Sequence, residues 1–400
     1  MVSGAFPYPP TNGTTMRIWM LLKALAANGH EVDLLSFGQQ AQLETYSAEI
    51  RRVCRSAHVV PYAPASLSSG ADYWCRLATL PSMMPYSVVR YRCRAMKASI
   101  HIRLQAHQID AVLCDSPYSL VNIPVALAEP LIVNSENIEH ILLLRYLAIE
   151  RNPARRAYAW LESQKLRRWE QYACARAGSV MVCSEHDRSV MAKLSPGTPI
   201  TMVPNVVDTD QYIPTLDGDD STVLYTGGMD WYPNRDAVEF FVSRILPELR
   251  SLIPTAKFIV AGRNPSEEFR RRFAGVPQVE FTGTVLDIRA EIAKAAVCVV
   301  PLRIGSGTRL KILEAGAMAK PIVSTRVGAE GLNFIDGEDI MLADEPAAFA
   351  HAVAGLLVNT SYRQRLGQAA RRRVEEQYSF LVLQTGVYEA IAEAMKAVGN

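Results

Sequence analysis

No Cys-x-x-Cys pair occurs among the seven cysteines (Cys54, Cys75, Cys93, Cys114, Cys174, Cys183 and Cys298), and several of them lie in apolar runs. That argues against a zinc ribbon or a disulfide framework and reads as reduced thiols. No apolar run reaches bilayer-spanning length, and Met1 opens no charged-then-apolar leader. The expected location is the cytoplasm. A Walker sequence is absent, and so is the third glycine of a dinucleotide fingerprint, which argues against a P-loop NTPase and a dehydrogenase. No recognised nucleic-acid module appears, so nucleic acid is not expected as a partner. Net charge is also small, at +2, but unevenly spread: residues 1–205 hold 21 Lys/Arg against 15 Asp/Glu, and the remainder 21 against 25. A basic first half suits a phosphorylated or anionic partner.

What is present is alternation. Apolar runs at His30–Phe37, Ile109–Asp115, Pro130–Glu136 and Gly178–Ser184 read as strands of a first half. Those at Ser221–Gly228, Ala256–Gly262, Val279–Gly283, Val297–Leu302 and Lys320–Thr325 read as strands of a second. Helical patterns separate them, and the near-continuous apolar character suits parallel strands buried on both faces. Four hundred residues exceed one typical core. The polar stretch Val207–Ser221 suggests the boundary, giving domains 1–207 and 208–380, with a last helix, 381–400, that no strand follows. Two facing doubly wound α/β domains with a cleft at the carboxyl ends of their strands are expected. Only Met1–Ala5 remain for a first strand that should lie centrally. Either that strand is very short or the natural start lies a few residues upstream, and the second reading is favoured.

Several residues are chemically suggestive. In Gly305-Ser306-Gly307-Thr308-Arg309-Leu310-Lys311, paired glycines let the backbone approach an anion, and the helix that follows offers free N–H groups and a positive dipole end. An ordinary loop is an equally common use of such a turn. Glu314 sits in a helix that is apolar nearly all round, so it needs partners. The Pro7–Arg17 loop offers amides at Gly13-Thr14-Thr15. Val133–His140 puts Glu136, Glu139 and His140 after a strand, suited to acid/base work or to helix capping by Ser135 or Asn137. The Thr282–Asp287 loop can read a nucleobase edge. Arg145–Arg176 holds eight Lys/Arg against three acids, with Trp160 and Trp169. Such a helix can lie on an anionic membrane, although a solvated helix packed by its Trp residues is the commoner outcome.

Taken in order, "FPYPPTNG", "LLKALAANGHEVDLLSF", "VCSEHDRSVM", "VPNVVDTDQY", "LYTGGMDWYPNRDAVEFF", "FTGTVLDI" and "VPLRIGSGTRLKILEAGAMAKPIVSTRVGAEGL" resemble, nearly end to end, the retaining nucleotide-sugar glycosyltransferases of the GT-B fold, family 4 type (group 1 glycosyl transferases). The resemblance implies two facing Rossmann-like domains, an N-terminal one for the acceptor and a C-terminal one for the donor, with the last helix crossing back. It puts Glu314 on the donor ribose, the backbone of Thr308 to Lys311 on the diphosphate, and Arg235 as its neutralising cation. Gly228, Gly283, Val285, Gly305, Ser306, Gly307 and Leu310 join this donor set, and Gly13 closes over the phosphates. Glu136, His140 and Arg309 are the catalytic candidates, and Asn205–Asp208 marks the hinge. The implied partners are a nucleotide-diphosphate sugar and a glycan or lipid-linked acceptor, with an anionic membrane surface as a further candidate. No cofactor or metal is implied, because cations and helix N-termini stabilise the leaving diphosphate.

The chain departs from the family pattern in places. A second glutamate, eight residues before Glu314, is replaced by Ser306. The glycine after Asn205 is Val206, and the histidine usual near the reacting sugar is Glu136, with His140 a turn later. These departures leave open a catalytically silent scaffold subunit; an epimerase of the same fold is the other alternative.

Overall fold

The computed structural model describes residues 1–61, 69–106, 108–215, 218–263, 265–305 and 308–398. The chain divides into two compact units, Met1–Asn205 with Phe380–Asn400, and Val206–Ser379. The passage from one to the other thus precedes the polar stretch, and Val207 and Tyr212 already belong to the second core.

Among the described residues the first unit holds seven strands: β1 (Val2–Ser3), β2 (Asp33–Gly38), β3 (Ser56–Pro61), β4 (Val112–Cys114), β5 (Leu131–Ser135), β6 (Ser179–Val182) and β7 (Ile200–Met202). They form one parallel sheet in the order β3-β2-β1-β4-β5-β6-β7. β1 is only two residues long, yet it pairs on both sides, Val2 with Leu35 and with Cys114. The second unit holds β8 (Thr222–Thr226), β9 (Lys257–Ala261), β10 (Val279–Gly283), β11 (Val297–Val300), β12 (Ile322–Ser324) and β13 (Met341–Leu342), parallel in the order β10-β9-β8-β11-β12-β13. Every residue of β5, β6 and β11 is buried, as a sheet covered on both faces requires. In each sheet the strand order reverses once, at β1/β4 and at β8/β11, and ligands of doubly wound folds bind at the carboxyl ends of strands at such a point.

Seven helices matter below: α1 (Gly13–Ala27), α2 (Ser69–Thr79), α3 (Glu139–Ile149), α4 (Pro153–Arg176), α5 (Tyr232–Phe240), α6 (Leu310–Ala317) and α7 (Phe380–Val398). α7 returns to the first unit, where Asn28 Nδ2 donates to Gln384 O at 3.1 Å and Lys23 Nζ lies 5.2 Å from the Phe380 ring centre. Its fit against the sheet depends on a missing side chain. A Cβ on Gly178 would lie 3.1 Å from Ala394 O, so glycine there permits close helix–sheet approach.

Candidate active site

The carboxyl ends of β8 and β11 bring one group of the expected residues together. Gly227 and Gly228 follow β8 directly. Gly227 has φ +156, and a Cβ on it would lie 2.8 Å from Asn234 Nδ2 and 2.9 Å from Lys311 Nζ. Glycine is needed at that point so that side chains from α5 and α6 can close over the strand end. Lys311 Nζ donates to Tyr225 OH at 2.9 Å and to Asn234 Oδ1 at 3.0 Å, and it stands 4.0 Å from the Tyr225 ring centre. Tyr225 OH donates to Asn234 Oδ1 at 2.6 Å, and Asn234 Nδ2 to Gly228 O at 2.8 Å. No carboxylate is among these hydrogen-bond partners. Burial, then the nearby Arg309 charge, pull the Lys311 ammonium down to about 7, against a weaker opposing pull from Glu314.

α6 starts at Leu310 with no side-chain cap and no acid in its first turn, so its positive end is uncompensated by its own residues. Glu314 is half-buried on the same helix and accepts a 3.2 Å hydrogen bond from Tyr212 OH. Burial raises its pKa, while Tyr212 and Lys311 act the other way. Arg309 is 4% exposed, and a Cβ on Gly305 would strike its guanidinium. Its charge therefore acts from within the turn and not as an open surface cation. Arg235 spans the turn after β8, donating to Met229 O at 2.8 Å. Thr308 and Leu310 are partly exposed; Gly283, at φ +72, and Val285 lie at and just after the end of β10, on the same edge of the sheet. Ser306 and Gly307 lie outside the described residues.

The first unit makes a second cluster at its own strand ends. Arg17, 2% exposed on α1, donates to Asn134 Oδ1 at 2.9 and 3.3 Å and to Pro204 O at 2.7 Å. Asn134 in turn donates to Asp115 O at 2.9 Å, tying β4 to β5. Glu136 follows β5 and receives a 3.4 Å bond from Thr14 Oγ1, whereas its buried Oε1 has no hydrogen-bond partner. Burial lifts this carboxyl to about 7, with the Arg17 charge opposing. Glu139 is lifted to about 7 by burial and by Glu170.

Two expectations need correction. Neither Ser135 nor Asn137 caps α3. Ile138 stands at the cap, and Glu170 of α4 accepts from Glu139 N at 2.7 Å. His140 is 5% exposed, and its Nδ1 meets the other Glu170 oxygen at 2.5 Å. It pins α3 to α4 inside the unit and leaves Glu136 as the strand-end group with open hydrogen-bonding capacity. At the α1 loop, Asn12 and Thr15 form a capping box, so the Thr15 amide is already engaged and the Gly13 and Thr14 amides remain. The partners Tyr212, Tyr225, Asn234 and Arg17 were missed from sequence. A tyrosine inside the buried run of β8 was a usable signal, because its hydroxyl needs a partner. Among the described residues, no three His, Cys, Asp or Glu side chains gather as a metal ligand set.

Comparison with known proteins agrees with this architecture. The model of Glycosyltransferase Family 4 matches residues 11–211, half of the chain, and that of Glycosyl transferases group 1 matches residues 220–359. An uncharacterised 44.6 kDa protein in the cps region of Klebsiella pneumoniae is 21% identical over 389 residues, covering 94% of this chain and 95% of that one. Sucrose-phosphate synthase of Thermosynechococcus elongatus superposes with a TM-score of 0.72 at 18% identity, over 99% of this chain and 98% of that one. HepE of Anabaena, solved in complex with UDP-glucose, does so with 0.66 at 13% identity, over 98% of each. The chain belongs to glycosyltransferase family 4 and is a glycosyltransferase of the GT-B fold.

Proposed function

We propose that the chain moves a sugar from a nucleotide-diphosphate donor to an acceptor hydroxyl with retention, in bacterial polysaccharide or glycolipid assembly. The observation that carries the donor reading is the β8/β11 cluster. A half-buried lysine, hydrogen-bonded only to neutral groups, stands on the first turn of an uncapped helix whose next turn carries a half-buried glutamate. A diphosphate would complete the lysine and the helix end, and a ribose diol would complete the glutamate. Neighbours such as HepE, solved with UDP-glucose, support that donor class, and the cps-region relative supports the polysaccharide role.

The bond from the anomeric carbon to the diphosphate oxygen breaks, and one to the acceptor oxygen forms on the same face. The hydroxyl proton passes to the leaving phosphate oxygen, so no separate base is required. Lys311, Arg235 and the start of α6 stabilise the negative charge that develops, and we propose that no metal is needed. Glu136, with an open acceptor atom, is proposed to orient a hydroxyl of the reacting substrates. The first unit is proposed to bind a glycan or lipid-linked acceptor at the inner face of a membrane.

The test is turnover of UDP-, GDP-, ADP- and TDP-sugars with the product linkage read by NMR. Retention of the donor's anomeric configuration is expected. Inversion would overturn the stereochemistry, interconversion of the donor alone would favour an epimerase, and no turnover with any donor would favour a silent subunit. A further expectation concerns protons. The Lys311 ammonium, held down to about 7, regains its charge when a diphosphate binds, so binding at pH 8 takes up protons and weakens as pH rises above 7. Calorimetry in buffers of different ionisation enthalpy measures this directly, and an uptake of zero contradicts the lysine's place on the diphosphate.

A further inference from the structure

The structure separates the charges of α4 in a way that sequence counting does not show. Both of its glutamates turn inward, Glu162 at 4% exposure and Glu170 at 1%, and Lys165 at 4% goes with them. Glu162 accepts from Tyr86 N at 2.8 Å and pairs with Lys165 at 2.9 Å, while Glu170 serves Glu139 N and His140. The charges left exposed on the helix, those of Arg155, Arg156, Arg167 and Arg168, are all positive. Glu150, just before α4, accepts from Tyr146 OH and lies 3.8 Å from Arg155. Trp160, 56% exposed, falls on one stripe with Arg156 and Arg167, at i−4 and i+7.

A second apolar element lies beside this helix. Lys165 Nζ donates to the carbonyls of Thr79 and Leu80, at 2.9 and 3.3 Å, and Arg168 Nη1 lies 3.9 Å from Met83 Sδ. These contacts fasten the end of α2 and the turn after it to α4. Trp74 (70%), Leu77 (38%), Leu80 (38%) and Met83 (68%) project from that element. Its one acid, Asp72, is held by Arg76 at 2.7 Å and by Tyr86 OH. Two exposed tryptophans, two leucines and a methionine thus stand on two elements packed against each other, beside exposed arginines of which only Arg155 has an acid within ion-pair range among the described residues.

We propose that this face, from Trp74 to Met83 on one side and from Arg155 to Arg168 on the other, docks on an anionic lipid bilayer. Charge complementarity selects the anionic headgroup, and tryptophan and arginine together suit the interfacial layer of a membrane more than bulk water or hydrocarbon. Among the described residues no helix is long and apolar enough to cross a membrane, so this docking is peripheral. The inference deepens the reading of a membrane-borne acceptor and rests on it for its purpose, but lipid binding is measured without donor or turnover.

The experiment is flotation of the full chain with vesicles of phosphatidylglycerol and phosphatidylcholine, or of phosphatidylcholine alone, at low salt. The chain is expected to float with the anionic vesicles at least about tenfold more tightly than with the neutral ones, and less so as salt is raised. Arg155, Arg156, Arg167 and Arg168 changed together to Gln should lose roughly 100-fold or more. Trp74→Ser with Trp160→Ser should lose binding at unchanged net charge, with thermal unfolding showing that both variants stay folded. The proposal is overturned if the wild-type chain stays in the soluble fraction, or if the tryptophan variant binds as the wild type does. It is overturned as well if a soluble polyanion such as heparin binds equally well and indifferently to the tryptophan changes. Failure here would leave sugar transfer standing, and failure of turnover would leave the vesicle result standing.

Discussion

Replacing Glu314 with alanine is expected to weaken donor binding by roughly 30- to 1,000-fold, the equivalent of one or two charge-assisted hydrogen bonds to hydroxyls. The fold should survive, because the residue is half-buried on a helix whose apolar face, Ile312, Leu313 and Ala315, is untouched. The change leaves Tyr212 OH without its acceptor, a loss of about 1 kcal/mol that amounts to a few degrees in Tm for a unit of this size. Glu314→Gln separates the two effects. It keeps an acceptor for Tyr212, so Tm should hold, while the affinity loss should persist in reduced form because the charge is gone. Calorimetric titration with a nucleoside diphosphate reads the affinity. Unchanged affinity in the alanine variant would remove Glu314 from the donor site.

Glu136→Gln is expected to lower kcat by roughly 100-fold, the scale of a lost substrate-orienting group, with little change in donor KM. Its pH signature is distinctive because burial lifts the Glu136 carboxyl to about 7. The folded state then holds this proton more tightly than the unfolded chain, in which an ordinary glutamate titrates near 4.5. The stabilisation is complete below that ordinary value and is lost as pH rises through 7. In the glutamine variant this part of the pH dependence disappears. The variant should therefore melt above the wild type at pH 8 and level with it near pH 4. Glu139 titrates in the same window, so some slope remains. Tm profiles of both proteins between pH 4 and 8 measure the difference. A variant that melts below the wild type at pH 8 would show that the carboxylate is stabilised there, contrary to its buried setting.

These residues also show what sequence can and cannot carry. β5, β6, β8 and β11 were legible because strands covered on both faces carry near-continuous apolar runs. β3, β7 and β13 were not. β3 and β7 close the ends of the first sheet, where His58 and Pro61 stay exposed and Ile200–Met202 is half-buried, and β13 is two residues at the end of the second. Short, or carrying polar and exposed residues, these strands leave no long apolar run. Glu314 and Lys311 were legible for the opposite reason: ionisable groups in an apolar helix need partners somewhere. Where those partners lie was not, because Tyr212 is 102 residues from Glu314, and Tyr225 and Asn234 are 86 and 77 from Lys311. The α3 cap failed in the same way. Local capping rules look within three residues, and the actual acceptor, Glu170, is 31 residues on.

The claim that the β8/β11 cluster is a nucleotide-diphosphate site is tested most directly by a thermal-shift panel. The wild-type chain and Glu314→Ala are melted with UDP, GDP, ADP, TDP and CMP, with and without attached sugar, in the presence of EDTA. A ligand that binds only the native state raises its melting temperature. The account predicts a clear rise for one of the diphosphates in the wild type, insensitive to EDTA, absent for CMP and largely lost in the variant. No rise with any of them, or the same rise in the variant, would contradict it.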